Sequence, residues 1–377
     1  MRSALAVLAS LLAASPLWAG EPGTAGATFL KLGAGARAVG MGEANTAVAD
    51  DAYAAYWNPG GLSQLRYPEL VFSHNQHLEG VNQQFVSYAH PLLGGTVLGA
   101  NLTRLAVGSF DAYDNAGGRN GSVSADDLAV GLSIARGFTL AGPGAPFFGA
   151  GASVKHVRER LASASASTFA MDLGLITRDW ERWLGSWARG ARLGFAMRHI
   201  GPGMRFVSET TRLPTTAAVG LSMERTLWKD PFIASVEYSR PNDSQGAVSI
   251  GGEYWLNQMV AARVGYCSGL DEGLGLRFGV GLRLKKLQID YAFSGYGDLG
   301  NTHRIGLTLR FAAPTSAPKG PDETLRTAQS LMAQDRHYEA ILELNRVLDQ
   351  DPGNERAVEL LRKVKQELQQ GGDKDGR

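Results

Sequence analysis

Cysteine is almost absent: Cys267 is the single one in 377 residues. No disulfide can form within the chain, so a fold exported to an oxidising compartment must rest on other contacts. Histidine is sparse as well, with seven scattered residues. The closest pair, His74 and His77, would point to opposite faces of a strand, which leaves neither a metal site nor a catalytic base with a constellation around it. Charge of one sign is missing too. Lys and Arg number 37 against 36 Asp and Glu, a net charge of +1, and no global field favours nucleic acid. Long apolar runs are lacking beyond the first residues, since none approaches the ~18 needed to cross a bilayer as a helix. That excludes helical membrane proteins. It does not exclude membrane barrels, whose strands need only ~9–11 residues and alternate apolar with polar side chains.

What is present begins with Arg2, the apolar run Ala4 to Ala14 and a small-residue exit at Leu17-Trp18-Ala19. This is the layout of a secretory signal peptide, expected to occupy residues 1–19. From Pro68 onward the chain settles into segments of about ten residues with period-two alternation, separated by turn-rich stretches. In Leu276 to Leu284, for example, Leu276, Phe278, Val280, Leu282 and Leu284 share one face, while Arg277, Gly279, Gly281 and Arg283 share the other. Arg192 to Arg198 repeats this, with Leu193, Phe195 and Met197 set for lipid and Arg192, Gly194, Ala196 and Arg198 set inward. About fourteen such segments can be marked between 68 and 311, an even number, as bacterial single-chain barrels use. Arg192, Arg198, Arg277 and Arg283 are therefore lumen-facing candidates.

The odd-numbered connections, including Ala106 to Asp126 and Gly201 to Pro214, are expected to be outer loops, and the even ones short periplasmic turns. Trp180, Trp183, Trp187, Trp228 and Trp255 all fall near even connections and are expected to form one aromatic belt on the periplasmic side. WERWLGSW, from Trp180 to Trp187, reads as a short interfacial helix.

Ahead of these segments, Leu30 to Leu62 is rich in Gly and Ala, without a clean period, and too small-sided to build a core. Residues this small suit a backbone packed closely against surrounding walls, so residues 20–66 read as a hatch inside a barrel spanning 67–311. Within it Gly33, Gly35, Gly40 and Gly42 would serve close packing. Asp50 and Asp51 would pair with inward arginines or, in the alternative, contact a ligand or ion directly, and Trp57, Asn58 and Pro59 would hand the chain to the first strand; these residues, with Arg37, are the ligand or hatch candidates. After Phe311 the composition changes. AAPTSAPKG, 312–320, is a linker, and 321–370 takes on helical period. There Ala328, Leu331, Ala340, Leu344 and Val347 precede Pro352 with the spacing of a tetratricopeptide repeat. Residues 371–377 are expected to be disordered.

The opening stretch resembles the N-terminal segment of the PorV/PorQ-like outer-membrane proteins, which are related to the FadL fatty-acid transporters. The matching residues are Leu32-Gly33-Ala34-Gly35-Ala36-Arg37, Gly40-Met41-Gly42-Glu43-Ala44, Ala47-Val48-Ala49-Asp50-Asp51-Ala52 and Tyr56-Trp57-Asn58-Pro59. Gly60 stands where that family commonly has Ala. The last segment also resembles the signal read by the barrel-insertion machinery, through Arg304, Gly306, Leu309 and Phe311. The resemblance implies an all-β transmembrane barrel of fourteen antiparallel strands in the bacterial outer membrane, with an N-terminal hatch. The small C-terminal α-helical, TPR-like domain would lie in the periplasm. It implies passage or binding of a small hydrophobic substrate gated by the hatch. The alternative is a secretion or assembly component of the type IX kind, using 321–370 to hold a periplasmic protein partner.

Three motifs point elsewhere and lack their context. Gly33 to Ala38 satisfies G-x-G-x-x-G/A, but no strand precedes it and no long helix follows, as a dinucleotide site requires. Gly265-Tyr266-Cys267-Ser268-Gly269 imitates a nucleophile elbow, yet the segment runs into a hairpin at Leu270 to Gly273, which favours a structural, lumen-facing Cys267. Asp126-Asp127 reads as a solvated loop end. The expectation is a non-enzymatic protein without cofactor or metal, whose partners are outer-membrane lipid and a hydrophobic small molecule.

Overall fold

The computed structural model describes residues 23–92, 94–114, 116–139, 147–162, 164–206, 209–269, 273–311, 321–333, 336–350 and 354–372. The signal peptide, the linker 312–320, Pro352, Leu270 to Glu272 and the last five residues of the tail lie outside them. Two units divide the chain, 1–315 and 316–377.

Among the described residues the first unit has sixteen strands: β1 (Glu69–Gln76), β2 (Asn82–Pro91), β3 (Thr96–Tyr113), β4 (Arg119–Thr139), β5 (Phe147–Leu161), β6 (Ala164–Arg178), β7 (Ala191–Ile200), β8 (Met204–Phe206), β9 (Glu209–Thr211), β10 (Thr216–Leu227), β11 (Asp230–Pro241), β12 (Ala247–Leu256), β13 (Val260–Cys267), β14 (Leu276–Leu284), β15 (Leu287–Gly295) and β16 (Asn301–Arg310). Fourteen of them close into one antiparallel barrel, each hydrogen-bonded to its sequence neighbours, with β7 running directly to β10 and β1 sealing against β16. The short pair β8–β9 stands apart as its own ribbon. All fourteen alternating segments of the sequence are barrel strands.

The alternation works as the barrel demands. Along β14 the burial alternates, with Leu276, Phe278, Val280, Leu282 and Leu284 exposed, Arg277, Gly279 and Gly281 buried, and Arg283 half-buried. Leu132 is 68% exposed and Phe169 61%. So many large apolar side chains on the outer wall, over a polar interior, are stable only if the outside is hydrocarbon. At the closing seam Glu69 faces Arg310 in register, and the two side chains pair at 2.8 Å inside the wall.

Two expected loops prove to be structured. Ala106 to Asp126 is mostly sheet: β3 and β4 run on beyond the barrel, through register shifts, to Tyr113 opposite Arg119. Continuing the ladder satisfies backbone groups that a free loop would leave to water, and Asp111–Arg119 pairs at 2.6 Å near the tip. Gly201 to Pro214 folds as the β8–β9 ribbon, because Met204 and Leu213 are apolar enough to bury completely, at 0% and 1% exposure. The WERWLGSW stretch gives a helical turn, Glu181–Leu184, and a 3-10 turn, Ser186–Ala188.

The aromatic belt needs one correction. Trp228 is 81% exposed at the β10–β11 turn and Trp183 and Trp187 are exposed at the β6–β7 connection, but Trp255 is only 4% exposed. Period-two phase decides this, since Trp255 shares the inward face of β12 with Ser249, Gly251 and Glu253 and sits under Arg283 at 3.9 Å. Phe138, Phe148 and Trp180 instead complete the girdle on this rim, with ring centroids 5.8 and 6.0 Å apart.

Among the described residues the second unit has three helices, Pro321–Met332, His337–Gln350 and Glu355–Gly372. Its core joins Leu325, Ala328, Ala340, Leu344, Val347, Ala357 and Val364, with Leu331 partly buried against it.

In liposomes whose lipids carry bromine near the headgroup, Trp228→Phe is expected to remove a quenchable share of the tryptophan emission, whereas Trp255→Phe removes only unquenched emission. Equal quenching of both would place Trp255 on the lipid face.

Candidate functional site: the hatch in the lumen

Residues 26–62 lie inside the barrel, and most of their side chains are buried. The local structure is a chain of short turns: Thr28–Lys31, Ala36–Gly40, Ala54–Trp57 and Pro59–Gln64. None is long enough to be stable alone. They are held because the barrel supplies the contacts they lack.

The wall meets the hatch backbone to backbone. A Cβ added to Gly40 would stand 3.0 Å from the Cα of Gly279, and one added to Gly60 would stand 2.7 Å from the Gly149 carbonyl and 2.8 Å from that of Gly174. Gly42, at φ +67°, lies in the left-handed region, and a Cβ there would strike the Tyr266 carbonyl at 2.6 Å. Across from it, a Cβ on Gly265 would collide with the Gly42 nitrogen itself. Similar contacts join Gly194 to Thr46, Gly251 to Met41 and Gly151 to Pro59. These inward glycines of the strands are thus the footprint of the hatch. Any side chain at these points would push it off the wall.

Charge then fixes its orientation. Arg37 donates through Nε and Nη2 to both oxygens of Glu253, at 2.9 and 2.8 Å, and through Nη1 to Asp50 at 2.6 Å. Asp51 stands 3.5 Å from the same guanidinium. Asp50 also meets Arg192 at 3.3 Å, which reaches Glu224 at 2.5 Å. Beyond Glu253 the network continues to Arg263 and from there to Asp290 at 2.8 Å. Elsewhere Arg277 holds Glu43 at 2.5 Å and Lys31 holds Asp243 at 2.7 Å. Arg198 pairs with neither aspartate; its guanidinium lies over the rings of Tyr56 and Trp57, at 5.6 and 5.3 Å. Arg283 likewise stacks on Trp255.

The two hatch aspartates are therefore not equivalent. Burial would raise Asp50, but Arg37 and Arg192 outweigh it and hold its carboxyl below the usual value. Burial dominates at Asp51 and, with Asp50 beside it, pushes its carboxyl from 3.8 up to about 6 against the pull of Arg37.

The C-terminal end of the hatch is pinned by Asn58. Its Oδ1 accepts from the Gly60 nitrogen at 3.1 Å, and its Nδ2 donates to the carbonyls of Thr46 and Leu175 at 2.8 and 2.9 Å. The Trp57 Nε1 donates to Ala34 O at 2.8 Å, and its ring lies where a Cβ on Gly33 would be, 2.8 Å away. Gly35, at φ +85°, faces the Tyr53 ring at 2.9 Å in the same sense.

Toward the rim that carries the β3–β4 extension the lumen changes character. Phe29 and Leu30 of the hatch, Met204 and Leu213 of the β8–β9 ribbon, and Val157 and Ala170 of the wall form one apolar cluster, with Leu105 and Phe206 packed on it. A parallel bridge from Ala25 to Arg212 ties the start of the hatch to the ribbon.

The structure thus gathers Arg37, Asp50, Asp51 and Arg192 into one network and places Arg198, Arg277 and Arg283 on other partners. Residue-type reasoning missed Glu253, Arg263, Asp290, Glu43 and Arg304, whose guanidinium donates to the Gly33 carbonyl and to Gln83. The signal was available for the wall residues, because each sits in the inward phase of its strand. Cys267 is buried on the inward face, its Sγ 3.4 Å from Ser268 O. Among the described residues no group of three or more His, Cys, Asp or Glu could hold a metal ion. Gly33 to Ala38 follows a 3-10 turn and opens a five-residue helix against the wall.

Fold and site together define a class: a closed, fourteen-stranded, antiparallel membrane-type β-barrel whose lumen is occupied by its own N-terminal segment. Within that class the chain is similar in fold to the monoaromatic hydrocarbon channel CymD, with a TM-score of 0.53, 12% identity, and 75% of this chain covering 98% of that one. The Ralstonia pickettii toluene transporter TbuX is similar at a TM-score of 0.48 and 15% identity, over 74% of this chain and 99% of that one. In sequence it is 24% identical over 350 residues to a UPF0164 protein of Treponema pallidum (strain Nichols), covering 87% of this chain and 80% of the relative. No protein-family model matches.

Two outcomes test the seating. Gly265→Val should open the buried Arg37 peptide to trypsin in the folded barrel, at an overpacking cost of about 1–3 kcal/mol, while Gly252→Ala, whose Cβ would meet only side-chain carbons at 3.8 Å, leaves it protected. Because Asp51 has a raised value in the folded state, its contribution to stability is lost as pH rises from about 4 through about 6. Asp51→Asn should therefore gain thermal stability relative to the parent above pH 6 and lose that gain near pH 4; a difference independent of pH would refute the assignment.

Proposed function

We infer that the protein is a non-enzymatic outer-membrane barrel that binds a small hydrophobic molecule and passes it inward when the hatch moves. The observation that carries this is the apolar cluster in which hatch, β8–β9 connection and wall meet toward one mouth of the lumen. A lumen that served only to conduct water or ions would have no use for Phe29, Leu30, Met204, Phe206 and Leu213 converging there, since interior positions of such barrels are polar. Here hatch, ribbon and wall each contribute one side of the same apolar surface. A ligand inserted among them would separate Phe29 and Leu30 from the wall and so act on the hatch directly. CymD, a monoaromatic hydrocarbon channel, supplies a candidate substrate class by likeness of fold.

The PorV/PorQ-like assignment rests on the hatch motif, and the close approach of Gly40 and Gly42 to the wall supports the seating role this reading gives them. The TPR-like reading of the tail is supported by Ala328, Ala340, Leu344 and Val347 meeting in one core, and the tail would lie in the periplasm after the last strand. Hatch candidates Gly33 to Gly42 and Trp57 to Pro59 act in this reading as seating residues, with Phe29 and Leu30 nearest the ligand.

The purified barrel is expected to bind a fluorescent arylnaphthylamine saturably, to release it to toluene, and to lose about tenfold in affinity on Met204→Asn, because a neutral amide put into an apolar site costs on the order of 1–3 kcal/mol. Absence of saturable binding, or binding unchanged in the variant, refutes the proposal.

A further inference from the structure

The outer wall carries a charged cluster that the lumen does not explain. On β5 the outward positions run Phe148, Ala150, Ala152, Val154, His156, Arg158, Arg160, and the last three are exposed. Arg158 lies opposite Ser167 of β6, and Arg160 opposite Ser165, both serines exposed. On the other side Arg160 lies opposite Asp126 of β4. That carboxylate is already engaged: Arg104 of β3 holds it through Nε at 2.7 Å and Nη2 at 2.5 Å. Arg158 and Arg160 have no carboxylate partner among the described residues.

Their height decides what can meet them. Phe148 belongs to the aromatic girdle with Phe138 and Trp180, which marks one membrane boundary. Ten residues of strand separate it from Arg158, about 33 Å along the strand and about 25 Å along the membrane normal at a tilt of roughly 40°. That is one full apolar band. Arg158 and Arg160 therefore emerge at the opposite boundary, where an unpaired guanidinium on the lipid face is tolerated and where lipid headgroups are the available counter-ions. Arginine forks phosphate with paired N–H donors. The two lie about 7 Å apart along β5, and Arg104 lies about 10 Å from Arg158 across β4, too widely spread for one phosphate.

We propose that Arg158 and Arg160, with Arg104 and the Ser165 and Ser167 hydroxyls, form a binding site on the outer wall for an outer-leaflet lipid whose headgroup carries more than one phosphate. The site rests on the reading of the chain as an outer-membrane barrel but not on transport, so a barrel that passes nothing would still hold the lipid.

The test is native mass spectrometry of the detergent-extracted full chain with diphosphorylated lipid A, phosphatidylglycerol or inorganic phosphate as probe. The wild type is expected to retain lipid A and to keep it in excess inorganic phosphate, with phosphatidylglycerol retained about tenfold less. R158Q/R160Q is expected to lose lipid A about tenfold, R158K/R160K to retain more than the glutamine pair, and R119Q, on the projecting ribbon, to match the wild type. Heat-modifiable mobility on electrophoresis establishes that each variant is a folded barrel. Equal retention by R158Q/R160Q, equal retention of phosphatidylglycerol, or displacement by inorganic phosphate overturns the proposal.

Discussion

Backbone lying against backbone, with no Cβ between, is the contact that makes every other feature of this barrel possible. A fourteen-stranded barrel encloses more space than its own inward side chains fill, and here the space is taken by a segment with no secondary structure stable in isolation. Such a segment can be held only where the wall comes within van der Waals reach of its peptide planes. Gly40 against Gly279 and Gly42 against Gly265 are two of the points at which it does. The inward glycines of the strands and the small residues of the hatch are two halves of one surface, and neither half has a reason without the other.

Close packing alone would let the hatch slide, and the ion pairs set its register. The charges of the Arg37 network are each paired: breaking one partnership in such a site costs about 3–5 kcal/mol, although the pair itself adds little over a well-packed apolar alternative. Arg37 concentrates this constraint, since it joins two hatch carboxylates to Glu253 of the wall. The uneven sharing leaves Asp50 well satisfied and Asp51 less so. The network keeps the hatch in one orientation, while the apolar contacts at the mouth carry no such penalty.

The outside of the wall follows a different logic with the same residue types. Arg192 and Arg277 in the lumen are matched by carboxylates of the chain itself, whereas Arg158 and Arg160 face outward beyond the apolar band, where the counter-ion must come from the surroundings. Identical alternation on paper thus serves two kinds of electrostatic balance, and height along the strand separates them.

The strands were legible because period two survives at every level: Leu276 to Leu284 shows in sequence the same two faces that it shows in space. The hatch was legible as too small-sided to fold alone. Trp255 was misplaced because its nearness to a turn was given weight over its phase on β12, and the 201–214 ribbon was missed because a few scattered apolar residues in a loop carry no period. Local alternation and composition were enough to settle the barrel and its strand count, because each of these is written within a few neighbouring residues. Which charges meet was settled only by closure in three dimensions. Arg37 and Glu253 are 216 residues apart, and nothing local to either one carries information about the other until the barrel closes around the hatch.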